Sequence, residues 1–115
     1  MAQKKLQYKK LLSFWKKLLR LQDWEIEVKE MIPDAEQEHV GEVAFVLERK
    51  YAQISLLSPQ ATDEDIEDTL VHELIHIHLA PFWPEEDAQK VVLAEQAVDS
   101  LARAFVALRR IQKNG

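Results

Sequence analysis

Apolar residues recur at helical spacing near the start of the chain, with Tyr8, Leu11, Leu12, Trp15, Leu18 and Leu19 interleaved with Lys9, Lys10, Lys16, Lys17 and Arg20. That pattern predicts an amphipathic helix over 4–21. The period then shortens to two. Trp24 to Lys29 alternates apolar and polar, which predicts a half-buried strand ended by Pro33 and the polar run from Asp34 to Glu38. Val40 to Leu47 predicts a second strand, with Gly41 at a bulge and Glu48-Arg49-Lys50 as a turn, and Tyr51 to Leu57 predicts a third. Three successive strands with short links predict a small, mainly antiparallel sheet.

Ser58 to Ala61 breaks that sheet, and Thr62 with Asp65 three residues on resembles a capping box. Asp63, Glu64 and Asp65 also suit the positive end of a helix dipole. The helix that starts there is expected to run to Leu79 and stop before Pro81. Pro81-Phe82-Trp83-Pro84 forms a stiff apolar connector whose aromatics suit a core lid or one wall of a pocket. A last helix is predicted over 85–111, with Glu85, Glu86 and Asp87 in its first turn and a fraying tail from Arg109. The fold expected is α+β: an N-terminal helix, a three-stranded sheet and two further helices.

With 115 residues, 47% hydrophobic and 30% charged, the chain has the profile of one compact domain spanning 1–115. It has no cysteine, so any metal must be held by His, Asp or Glu. No apolar run approaches a membrane span and no signal-peptide pattern leads the chain, so a cytoplasmic location is expected. The net charge of -5 conceals a segregated pattern: seven Lys/Arg and no acid in 1–20, and all twenty acids against four bases in 21–100. A cationic helix lying against an acidic body fits this better than a nucleic-acid surface, because the negative remainder repels a duplex.

Within the predicted helix stands His72-Glu73-Leu74-Ile75-His76, an HExxH pattern. At about 100° per residue His72 and His76 point the same way one turn apart, with Glu73 beside them, so one helix offers two imidazoles to a metal and a carboxylate to its water. The alternative is an ordinary helix with surface or core histidines. Leu70, Val71, Leu74 and Ile75 fall on the opposite arc, so the triad is expected to look out of the core. His78 lies within the apolar arc, where a satisfied buried or helix-ending histidine is expected instead of a third ligand. The next helix carries Glu95, which a helix hairpin brings back as a third ligand, and Asp99 one turn on, placed to orient a ligand histidine. His39 and Tyr51 are the candidates for a transition-state hydrogen-bond donor, and surface and strand roles are their alternatives. The acids from Asp63 to Asp65, with Glu67 and Asp68, read as a solvated face.

In these pieces, His72 to His76 on one helix and Glu95 to Asp99 on the following one, the sequence resembles the gluzincin-type zinc metallopeptidases, and in organisation the minimal single-domain gluzincins. It is more distantly similar to phage-associated peptidases that cut repressors. The resemblance implies Zn2+ held by His72, His76 and Glu95, Glu73 as general base, and Asp99 supporting the first histidine. It also implies an extended polypeptide substrate added as a strand beside the motif helix, with Tyr51 to Leu57 as the candidate edge. Some minimal members are latent, with their own chain or a neighbouring copy over the cleft, which implies self-association or autoinhibition here. The chain departs from the pattern in two places: no His or Tyr follows Asp99, and the usual Asn before the ligand glutamate is Ala94. The function expected is a zinc-dependent endopeptidase, with a metal-binding regulatory or protein-interaction module of little or no activity as the alternative.

Overall fold

A computed structural model of the chain describes residues 2–31, 41–57 and 63–114. Three helices and a three-stranded sheet form an α+β arrangement. Helix α1 (Ala2–Leu18) leads to β1 (Glu25–Met31), β2 (Gly41–Val46) and β3 (Tyr51–Leu57), followed by α2 (Asp63–Leu79) and α3 (Ala88–Asn114). Short 3-10 turns lie at Leu47–Arg49 and Ala80–Phe82.

The sheet order is β1-β3-β2, with β3 antiparallel to β2 and parallel to β1. The sheet is therefore mixed, with only one of its two pairings antiparallel. The reason lies in the connections: β2 and β3 are joined by a tight link and form a hairpin, whereas β1 takes the free side of β3. Tyr51 to Leu57 is thus the central strand, occupied on both sides, and cannot accept an added strand. The edges are β1 and β2. Gly41 pairs with Leu56 in unbroken register with the rest of β2, so no bulge forms there.

Pleat parity divides the sheet. Ile26, Ala52 and Ile54 turn to the helices and are buried, while Glu25, Glu27 and Val46 are exposed on the outer face. Helix α2 lies against the inner face and carries the centre of the core, with Leu70, Val71 and Leu74 each at 0% exposure. Trp15 of α1 and Leu21 just beyond it close one end, and from α3, Val98, Ala102 and Val106 close the flank.

Helix α1 ends earlier than its apolar spacing predicts. The Leu21 N–H donates to the Lys16 carbonyl at 2.7 Å and the Arg20 N–H to Lys17 at 3.2 Å, a Schellman pair that places Arg20 at φ 63°. Leu21 then turns back into the core beside Trp15. His78 of α2 is within 2.6 Å of the Leu19 carbonyl through Nε2, so its ring caps the end of α1. This agrees with the helix-ending role and removes His78 from the metal-ligand set.

Helix α2 stops at Leu79, ahead of Pro81, as expected, while its Thr62 cap lies outside the described residues. Helix α3 starts later than predicted. Asp87 stands before its first turn and accepts from the Gln89 and Lys90 N–H groups, both at 3.1 Å, as an N-cap. Its far end does not fray at Arg109. Arg109 donates from Nε and NH2 to Glu67, both at 2.6 Å, Arg110 adds a contact at 3.2 Å, and Trp15 Nε1 donates at 2.7 Å. Glu67, read from sequence as part of a solvated face, is 1% exposed and ties the three helices together. Burial alone would raise its pKa, but the bonds from Arg109 and Trp15 and the two guanidinium charges outweigh it and hold the carboxyl below its usual range.

Candidate metal centre

Residues 72–76 lie in the middle of α2, where regular helix sets His72 and His76 one turn apart with ring centroids 5.0 Å apart. Their Nε2 atoms approach to 3.2 Å. Packing of α3 across α2, fixed by Val98 and Ala102 in the core, brings Glu95 over both rings. Its Oε1 lies 2.7 Å from His76 Nε2 and its Oε2 lies 3.4 Å from His72 Nε2. Three ligand atoms from these residues fall within 4.8 Å of one another, and this is the cluster of metal-ligating side chains among the described residues.

The donor set fits a divalent ion. Ligands at the usual zinc distances in a tetrahedron stand about 3.3 Å apart, close to the 3.2 and 3.4 Å separations here, whereas 2.7 Å is a hydrogen-bond length between His76 and Glu95. Ligation also requires neutral imidazoles. Burial disfavours the charged form of His76 and outweighs the Glu95 carboxylate, with the His72 ring adding to the effect, so the His76 pKa is pushed below its ordinary value.

The outer contacts hold the rings in place. Asp99 Oδ1 is 3.7 Å from His72 Nδ1, at ion-pair range and beyond a hydrogen bond, and Asp99 also pairs with Arg103 at 3.2 Å. Trp83 packs against His76 with centroids 4.5 Å apart and planes tilted by 59°. One of the connector's two aromatics is therefore a wall of the site, while Phe82 beside it is 81% exposed.

The triad is roofed and does not look out of the core. The His72 and His76 side chains are 18% and 16% exposed because α3 and Trp83 lie over them, and Glu73 is 7% exposed. The carboxylate of Glu95, at 44% exposure, faces solvent on one side and so leaves a route to the centre. Tyr51 is not brought to this cluster. It is in register with Glu25 on the outer face of the sheet, and its hydroxyl donates to Glu27 at 3.0 Å, a contact that pushes its pKa up. His39 lies outside the described residues. Trp83 is the site residue that sequence reasoning left undecided, and its signal was position, four residues beyond Leu79 across a stiff proline turn. No protein-family model, curated protein or solved structure matches the chain.

Proposed function

We propose that the chain is a zinc-dependent endopeptidase acting on an extended polypeptide, a reading carried by the convergence of His72, His76 and Glu95 on one point. His72 and His76 through Nε2, with the Glu95 carboxylate, would hold the ion. A bound divalent ion supplies Lewis acidity, which acidifies water and polarises a carbonyl. Glu73, adjacent to His72 and largely enclosed, accepts a proton from the attacking water and returns it to the leaving amine. Asp99, at ion-pair range of His72 Nδ1, is placed to accept from it, and Trp83 packs against the His76 ring.

An extended substrate needs a strand edge. With β3 central, the edge on the α2 side is β2 (Gly41–Val46), which packs near the motif helix and leaves its outer backbone groups available among the described residues. The enclosure of Glu73 and the position of Tyr51 on the far face favour a second reading, a metal-binding interaction module without turnover. One assay separates the two. The zinc-loaded chain and Glu73→Gln are incubated with a degenerate peptide library and the products identified by mass spectrometry. Cleavage by the parent, lost in a Glu73→Gln protein that retains zinc, supports the peptidase. Zinc binding without cleavage by either supports the module, and cleavage unchanged by Glu73→Gln contradicts the proposed role of Glu73.

A further inference from the structure

Helix α3 buries one side against α2 and, among the described residues, leaves another side apolar and uncovered. Leu93, Leu101, Leu108 and Ile111 are 64%, 46%, 56% and 67% exposed, and Ala97 and Ala104 between them are exposed as well. At 100° per residue these six positions fall within an arc of roughly 80°. They recur at steps of four and three, the spacing of a helix-packing seam. Scattered surface leucines are ordinary, but an apolar stripe running about 28 Å along one helix is not.

The order of sizes in the stripe identifies its occupant. Turned end for end against itself, the stripe sets Leu93 against Ile111, Ala97 against Leu108 and Leu101 against Ala104. Both inner pairs place a large side chain over a small one, the interdigitation that close helix packing requires. Parallel alignment in register would instead oppose Leu to Leu and Ala to Ala. Charge along the chain favours the same direction. Glu85, Glu86 and Asp87 just ahead of the helix and Glu95 and Asp99 in its first half stand against Lys90, and 100–115 holds four bases and no acid, so antiparallel copies lay an acidic end beside a basic one. No charged side chain falls within the stripe's own arc between Val91 and Gln112.

We propose that α3 of one chain packs antiparallel on α3 of a second copy through this stripe, about a twofold axis near Ala102 and Arg103. The interface is isologous and self-closing, so association stops at a dimer. A single helix pair is near the lower limit of area for a specific interface, so dissociation in the micromolar range is expected. The pairing uses the side of α3 away from His72 and His76, and does not depend on a metal.

Sedimentation equilibrium of the full chain in chelator, over about 1 µM to several hundred µM, tests it. The mass is expected to rise from 13.4 kDa toward twice that value. Leu101→Glu and Leu108→Lys, each on the exposed stripe, are expected to weaken association at least about a hundredfold with unchanged circular dichroism. The chain has no cysteine, so Gln89→Cys carries a single spin label. Labels in the antiparallel dimer stand about 40 Å apart, against less than about 20 Å in a parallel one. A mass of 13.4 kDa at every concentration, association unaffected by both stripe variants, association only when zinc is added, or a short label distance would each overturn the proposal.

Discussion

Glu67 carries the largest single-residue effect on stability that the fold implies outside its apolar core. Glu67→Ala leaves the Trp15 N–H without its acceptor and removes the bidentate partner of Arg109 together with the contact to Arg110. Removing one partner of a buried ion pair costs about 3–5 kcal/mol. Here the arginine side chains are 21% and 36% exposed and recover part of their hydration, so the lower part of that range, about 3 kcal/mol, is expected. For a domain of this length that lowers Tm by roughly 10–15 °C. Urea unfolding followed by tryptophan fluorescence measures it, and Trp15 reports on the cluster itself. The lowered Glu67 pKa fixes the pH dependence. Its contribution is complete above the ordinary value of 4.5 and is lost as pH falls through the depressed folded value, so the gap between parent and Glu67→Gln should close in strong acid. A cost below about 1 kcal/mol at neutral pH would refute the reasoning, because it would equate this cluster with an exposed ion pair.

Three smaller changes follow from the same structure. Arg20→Gly relieves a left-handed residue at the end of α1, and a gain of about 0.5–1 kcal/mol in urea unfolding is expected, after the extra freedom of glycine in the unfolded chain is subtracted. Asp87→Ala removes the acceptor for two N–H groups of α3 and should cost about 1 kcal/mol in the same measurement, with no change expected if the cap does not form. Asp99→Asn should weaken zinc affinity by about 10–100-fold in chelator competition while unfolding of the metal-free chain shifts by less than about 1 kcal/mol.

Much of this architecture is legible in the chain. Pro81 gives α2 its far boundary, and the spacing of His72, Glu73 and His76 together with Glu95 on the next helix anticipates the cluster, because two helices joined by a short proline turn have few ways to pack. Strand order is not legible in the same way. Alternation marks each strand, but nothing local tells β1 to take the free side of β3, and the antiparallel expectation followed from sequence adjacency alone. The burial of Glu67 did have a signal. On the α2 wheel it lies among Val71 and Leu74, inside the apolar arc, yet its acidic neighbours made it look like surface. Its partners come from Trp15 and from Arg109, 52 and 42 residues away, and no local pattern carries that information. The cover over the histidines is not legible for a related reason, since a helical wheel shows which side of a helix is apolar and not what the next helix lays across the other.

Zinc titration against a competing chelator, run in parallel on the parent chain, Glu95→Ala and Glu73→Gln, tests the metal centre most directly. The parent is expected to bind one zinc per chain, Glu95→Ala to lose at least about a hundredfold in affinity, and Glu73→Gln to keep most of it, because the proposed ligand set includes Glu95 and not Glu73. Equal zinc affinity in the parent and Glu95→Ala would contradict a site closed by His72, His76 and Glu95.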